Sequence, residues 1–396
     1  MVGTATVATF LVAGLASLFM AWSIGAGSSG STPFAPAVGA NAISVMRAGF
    51  FVGILGFAGA VLQGQGVTEA VGKELIGGQV TTLSAEAATV ALLVAAVLVA
   101  VGIFTGYPIA TAFTVTGAVV GVGLAMGGTP QFAKYAEIST LWILTPFLGG
   151  GAAYTTARAL RGDALEESLL VPVLAGLVGA LLANVEFVLL GPPGESASLA
   201  AAIAPSLPGP QLVATVVVTL LVAAGIALAL AWDISRDQAA AQRRFLLALG
   251  GLVAFSAGGS QVGLAVGPLA PLLSEFDVPL VAVLVGGGLG LLVGSWTGAP
   301  RMIKALSQDY SSLGPRRSIA ALIPSFAIAQ IAIFFGIPVS FNEIIVSAII
   351  GSGYAAGGSG VSREKMVKTV LAWVGSLALS FAVAYAGFAA VDALLL

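Results

Sequence analysis

Long uncharged stretches alternate with short charged clusters along this chain. The uncharged stretches are 1–46, 87–133, 168–185, 196–232, 245–274, 278–300, 318–342, 344–362 and 369–391. A helix needs about 20 apolar residues to cross a bilayer. The stretches 1–46 and 87–133 are each long enough for two passes, and 369–391 fits one. The first ten residues carry no basic group, so the pattern reads them as part of a span and not as a signal peptide. Two runs of small polar residues interrupt the apolar pattern. One is Ser23-Ile24-Gly25-Ala26-Gly27-Ser28-Ser29-Gly30-Ser31-Thr32-Pro33. The other is Phe255-Ser256-Ala257-Gly258-Gly259-Ser260-Gln261. Both predict broken or re-entrant helices, which a membrane tolerates only where protein or a wet cavity covers the freed backbone groups.

The landmarks recur. Gly106-Tyr107-Pro108-Ile109-Ala110 resembles Gly336-Ile337-Pro338-Val339-Ser340, 230 residues on. Val120-Gly121-Val122-Gly123 matches Ile350-Gly351-Ser352-Gly353 at the same offset, Trp142 pairs with Trp373 at 231, and Gly25 with Gly258 at 233. Four landmarks in one order at nearly one offset indicate a duplication. The expected organisation is a first repeat over 1–160, a two-helix spacer over 161–239 and a second repeat over 240–396.

Charge sets the relative orientation of the repeats. Loop 66–86 has Lys73 against Glu69, Glu74 and Glu86, a net −2; its counterpart 301–317 has Arg301, Lys304, Arg316 and Arg317 against Asp309, a net +3. Loop 134–137 balances Lys134 with Glu137, whereas 363–368 has Arg363, Lys365 and Lys368 against Glu364. Cytoplasmic loops are enriched in Lys and Arg, so equivalent loops are expected on opposite sides. That is an inverted repeat, the common plan of secondary transporters. Arg158 and Arg161 precede the spacer, and Arg236, Arg243 and Arg244 follow it. Five crossings per repeat and two in the spacer give an all-α polytopic membrane protein of about 12 crossings with both termini outside.

Composition narrows the function. The chain is 58% hydrophobic and 8% charged, with mean hydropathy +1.06. A soluble domain carries about 25% charged residues, so a soluble enzyme and a disordered chain are excluded. A net charge of −2 offers no basic face for nucleic acid. Without Cys or His there are no disulfides, no thiolate or imidazole metal ligands, and no Ser-His or Cys-His pair. An enzyme is not expected, nor a cofactor beyond a coupling cation. The partners expected are the bilayer of a cell membrane and a small inorganic anion, with a homodimer left open.

Helix ends exposed at mid-membrane bind anions through free N–H groups and the helix dipole, without Lys or Arg. On that ground Ser28, Ser29, Ser31, Thr32, Thr111, Ser260, Gln261 and Ser340 are expected to converge on one oxyanion, with Asn342 beside them. Packing is the competing reading of the glycines, since small residues let membrane helices approach closely. Glu343 stands between the uncharged stretches 318–342 and 344–362. An intramembrane carboxylate is costly and by default functional. It could bind Na⁺, take up and release H⁺, or accept the proton of a bound phosphate. Its bland alternative is a pair with a nearby Lys or Arg.

At these residues the chain resembles the PiT family of inorganic phosphate transporters. The family repeats a G-A-N-D-V-A-N signature and a G-x-P-V-S-T-T-H element. Here the first signature reads Gly25-Ala26-Gly27-Ser28-Ser29-Gly30-Ser31, and the second runs from Ala257-Gly258-Gly259-Ser260-Gln261 to Gly267-Pro268. The later elements are Gly106–Phe113 and Gly336–Glu343. The signature Asp maps to Ser28 and Gln261, the Asn positions to Gly27, Ser31, Ser260 and Leu264, and the His to Phe113 and Glu343. The resemblance implies ion-coupled, alternating-access transport of an oxyanion, phosphate first, with Na⁺ or H⁺ as the coupling ion. Loss of both Asp residues tilts the chemistry toward a sulfate permease of the same fold, and a small-anion channel is the further alternative.

Overall fold

Uncharged runs of Leu, Val, Ala and Phe satisfy their backbone groups within themselves, and they do so here as helices. The computed structural model describes residues 4–78, 80, 82–162, 166–192, 195–358 and 361–395. In chain order the helices are α1 Thr4–Gly27, α2 Ala35–Gly39, α3 Val45–Gln63, α4 Gln65–Lys73, α5 Ala85–Thr105, α6 Thr111–Ala125, α7 Phe132–Arg161 and α8 Glu167–Ala183. They continue with α9 Leu199–Ile203, α10 Gln211–Arg236, α11 Gln238–Val266, α12 Leu280–Thr297, α13 Ala299–Gln308, α14 Pro315–Phe334, α15 Phe341–Tyr354 and α16 Arg363–Leu395. A 3-10 segment, Gly267–Phe276, follows α11. Ile76–Gly77 pairs with Thr129–Pro130, and Glu186–Phe187 with Ala197–Ser198, as two-residue antiparallel strands. Among the described residues eight helices are long and apolar enough to span a bilayer: α1, α3, α5, α10, α11 with its 3-10 extension, α12, α14 and α16. Helices α6 and α8 are apolar but shorter. Stretch 1–46 holds one such helix, not two, because the chain breaks after Gly27 and continues through irregular backbone and the five-residue α2.

The succession α1, α3, α4, α5, α6, α7 recurs as α11, α12, α13, α14, α15, α16, each 230–235 residues later at its first or last residue. The contacts recur too, and they cross between the two series. Helix α1 lies along α12 while α3 lies along α11; α6 lies along α16 while α7 lies along α15. Two glycines make the first pair of crossings possible. A Cβ on Gly25 would collide with the Leu291 carbonyl, and one on Gly258 with the Gly56 carbonyl. This corrects the expected break at Phe255–Gln261. Helix α11 runs unbroken through that segment to Val266, and its Gly258-Gly259 pair serves close packing on α3, as in small-residue helix contacts generally.

Real interruptions follow α5 and α14. Gly106 (φ +73) and Gly336 (φ +62) end these helices in the left-handed region, where other residues are strained. Extended segments 107–110 and 337–340 then lead into α6 and α15. Tryptophans from the opposite series brace both segments: Trp142 Nε1 donates to the Pro338 carbonyl and Trp373 Nε1 to the Pro108 carbonyl, each at 2.8 Å.

The two ends of the bundle differ in charge. At one end Lys134 contacts Glu74 and Glu137 at 2.8 and 3.1 Å, and Tyr135 Oη donates to the Leu75 carbonyl, so the start of α7 sits on the loop after α4. At the other, Lys365 lies 3.0 Å from Asp309 and the Ser362 N–H donates to the Tyr310 carbonyl, so the start of α16 sits on the loop after α13. The end of α7 is there as well, with Arg161 donating to the Ala355 carbonyl. Of the 15 Lys and Arg residues only Lys73 and Lys134 belong to the first end. Between the ends the outer surface is apolar, with Leu15, Phe147, Leu212, Leu221 and Leu371 facing outward, as a lipid-facing belt requires.

Candidate functional site

Helices α6 and α15 begin deep inside the bundle and run toward opposite ends, so their N-termini meet. Cross-bonds show how close they come. Asn342, in the first turn of α15, donates from Nδ2 to the carbonyl of Ile109, just before α6, at 2.7 Å and to that of Gly27, the last residue of α1, at 3.0 Å. Thr111 opens α6 and donates to Gln261 Oε1 at 2.7 Å. Gln261 Nε2 in turn donates to the carbonyl of Val339, just before α15, at 2.5 Å. Ile109 and Val339 are equivalent residues of the two series, 230 apart. Both amides belong to the second series: Asn342 ties down the Ile109 carbonyl of the first series, and Gln261 the equivalent Val339 carbonyl of its own. Two carbonyl acceptors fix the orientation of the Asn342 amide, since only the nitrogen can donate; Gln261 is fixed by donating to one carbonyl while its oxygen accepts from the Thr111 and Ser28 hydroxyls. Ser28 completes the cluster, donating to Gln261 Oε1 at 3.1 Å and lying 3.5 Å from the Thr111 hydroxyl.

Of the expected site residues, Ser28, Thr111, Gln261 and Asn342 are therefore joined, and all four are fully buried. Ser260 and Ser340 flank them, equally buried, and their hydroxyls have no partner. The same holds for Asn342 Oδ1 and Glu343 Oε2. Ser31 and Thr32 behave otherwise: both hydroxyls donate at 3.1 Å to the carbonyl of Ser28, closing their own turn. Ser29 is buried in that turn, but its hydroxyl joins none of these bonds. Glu343 is buried in the first turn of α15, and among the described residues no Lys or Arg pairs with it.

The sequence reading missed a second polar group. Gln63 and Gln330 exchange amide hydrogen bonds at 3.3–3.4 Å, Gln63 donates to the Glu186 carbonyl, and Gln330 donates to Ser256 Oγ at 2.6 Å. These amides line a cavity of about 710 Å³ together with Glu69, Glu186 and Glu195. The available signal was a glutamine inside each of two apolar helices.

The chemistry of the central cluster follows from its parts. The first N–H groups of a helix have no intrahelical partner, and the macrodipole concentrates positive charge there. Neither Ala110 nor Ser340 caps its helix with a side chain. Two uncapped positive ends side by side repel each other and attract an anion. The spare hydroxyls of Ser260 and Ser340 can donate to it. Asn342 Oδ1 and Glu343 Oε2 can accept.

Comparison with known proteins agrees with this architecture. A family model described as the phosphate transporter family matches residues 24–384. The chloroplastic inorganic phosphate transporter 2-1 of Arabidopsis thaliana is 25% identical over 410 residues, covering 91% of this chain and 68% of that protein. A putative phosphate permease of Thermococcus kodakarensis is 26% identical over 379 residues, covering 89% and 90%. A solved structure described as the sodium-dependent phosphate transporter superposes with a TM-score of 0.78 over 98% of this chain and all of the other, at 21% identity, and shares its fold. The chain belongs to the phosphate transporter family: it is a multi-pass membrane transporter and not an enzyme.

Proposed function

We propose that the protein carries inorganic phosphate by ion-coupled alternating access, with one phosphate held between the N-termini of α6 and α15. The observation that carries this reading is the meeting of two uncapped helix N-termini, with unpartnered Ser260 and Ser340 hydroxyls beside them. Ser28 and Thr111 would turn their hydroxyls from Gln261 to the arriving anion, and Ser29 would add a donor from the turn after α1. Ser31 and Thr32 hold that turn.

Phosphate near neutral pH keeps at least one proton, whereas sulfate carries none. The unpartnered acceptors Asn342 Oδ1 and Glu343 Oε2 suit a ligand that brings a hydrogen. They favour phosphate over sulfate, and the names of the relatives agree. The positions of the family's signature Asp hold Ser28 and Gln261, which leaves Glu343 as the carboxylate of the site. In this reading Glu343 carries the coupling cation. The relative of known structure is sodium-dependent by its description; a carboxylate also takes a proton.

The transporter would be two inverted repeats, 1–160 and 240–396, around a two-helix spacer at 161–239. The path would comprise 12 crossings, if irregular backbone completes those of α1, α6 and α15. The repeated element order, the crossed contacts and the opposite ends at which α7 and α16 begin support this plan. The basic end would face the cytoplasm. Purified protein in liposomes, given labelled phosphate or labelled sulfate under an imposed Na⁺ or H⁺ gradient, tests the reading. Uphill phosphate uptake driven by one of the two gradients is expected. Passive, non-saturating flux would mean a channel instead, and uptake of sulfate alone would reject phosphate as the substrate.

A further inference from the structure

The basic end carries a second feature, outside the cluster between α6 and α15. Three arginines gather where α7 ends and α14 begins: Arg161, Arg316 and Arg317. They line an open cavity of about 500 Å³ with Glu167, Gln242 and Gly314. Arg316 is neutralised there by a two-pronged bond to Glu167, at 2.9 and 2.7 Å. Among the described residues Arg161 and Arg317 are not. Their guanidinium groups donate to main-chain carbonyls, of Ala355 and Ser312 respectively, and they repel each other. Among the described residues no carboxylate pairs with either.

The position is electrostatically adverse. Arg316 and Arg317 stand in the first turn of α14, a 20-residue helix with no acid in that turn and no side-chain cap. Cations are unfavourable at a helix N-terminus, and the N–H groups of that turn lack intrahelical acceptors. A basic pair, a free helix end and a cavity therefore converge on one missing charge. A phosphate group, with three or more acceptor oxygens, matches a guanidinium fork and free N–H groups together. We propose that this cavity is a binding site for a phosphate ester of net negative charge, separate from the transport site. Two sources share that chemistry: the headgroup of an anionic lipid in the adjoining leaflet, and a soluble phosphate ester.

The test uses the full chain in detergent, with native mass spectrometry to count retained molecules. Phosphatidylglycerol, phosphatidylcholine and glycerol phosphate are offered separately. The double variant Arg161→Gln/Arg317→Gln removes both free cations and leaves the transport site intact. A second variant, Gly314→Asp, places a carboxylate at the N-cap of α14. Gly314 has extended φ/ψ (−139°, 175°) and open space around its Cβ position, so the new side chain caps the helix without collision. It should fold at least as well as the parent while occupying the site electrostatically. The expected result is that the parent retains phosphatidylglycerol but not phosphatidylcholine, and that both variants lose that retention by about tenfold or more. If glycerol phosphate shows this pattern and the lipid does not, the site holds and its occupant is soluble. Equal retention by parent and both variants, or no preferential retention of either anionic ester over phosphatidylcholine by the parent, overturns it. Labelled phosphate uptake, measured in parallel, tells this outcome apart from loss of transport.

Discussion

Replacing Ser260 with alanine is expected to move affinity and stability in opposite directions. The Ser260 hydroxyl is fully buried in α11 and has no hydrogen-bond partner among the described residues. A buried polar group left unsatisfied costs about 1–3 kcal/mol, and removing it returns that cost. Alanine is also the better helix former by a few tenths of a kcal/mol. The unliganded variant should therefore melt at or above the parent, by about 1–3 °C if a protein of this size follows the general scaling. In the proposed site the same hydroxyl donates to an anion. A hydrogen bond to a charged group contributes about 1.5–3 kcal/mol, which is roughly a 10- to 150-fold weaker apparent affinity once it is lost. Two measurements are needed: thermal unfolding in detergent without phosphate, and KM for labelled phosphate in proteoliposomes. A KM within twofold of the parent, or a lower melting temperature, refutes the placement of Ser260 at the site. Thr111→Val is the contrast. It removes the 2.7 Å bond to Gln261 Oε1, so it should lower stability and affinity together.

Further outcomes follow from other parts of the fold. Glu343→Gln should abolish gradient-driven accumulation yet leave phosphate exchange; accumulation as steep as the parent's would remove Glu343 as the coupling residue. Gly258→Ala drives a Cβ into the Gly56 carbonyl and should cost about 1–3 kcal/mol or more through overpacking, seen as lost yield and a lower melting temperature. Gly225→Ala in α10, with nothing within 4 Å, should be neutral or stabilising, and a loss like that of Gly258→Ala would remove the steric explanation. Single cysteines at the exposed positions Lys73 and Gln308, in a chain with no native cysteine, should label from opposite faces of the membrane, with position 308 cytoplasmic; labelling of both from one side would sink the inverted plan.

The residues that told most in the sequence were those that the membrane makes costly. Small polar runs, a lone glutamate and repeated Gly-Pro landmarks stand out against leucine and valine because hydrocarbon penalises each of them. That is why Ser28, Gln261, Ser340 and Glu343 could be singled out, and why the Pro108 and Pro338 segments could be matched. The Phe255–Gln261 segment was misread because glycine serves two ends with one signature. A glycine pair breaks a helix when its neighbours do not hold it, and seats a second helix when they do; only the Gly56 carbonyl against Gly258 decides between them. Ser31 and Thr32 were indistinguishable from Ser28 for a similar reason. All three hydroxyls occupy one turn, and the acceptor each one finds depends on backbone angles that composition does not encode. The Gln63–Gln330 pair lies further still from sequence reading, since its two amides come from helices 267 residues apart.

The crossed braces between the two series govern how the protein can be made. In order of synthesis, α1 has no complete α12 to lie against until residue 297, Trp142 has no carbonyl to meet until residue 338, and Gly27 has no Asn342 until residue 342. The first series enters the lipid with α1 free to pack on α5 and α5 on α6, but with the partners of α3, α7 and the far faces of α1 and α6 still to be synthesised. Its polar turn at Ser28 must wait there, covered by water or by the insertion machinery. Completion comes late, when α15 reaches α7 and α16 then closes along α6. A truncated message would then leave no half-working carrier behind, only a set of inserted helices open to degradation. Two separately expressed halves should assemble only when both are present in the same membrane.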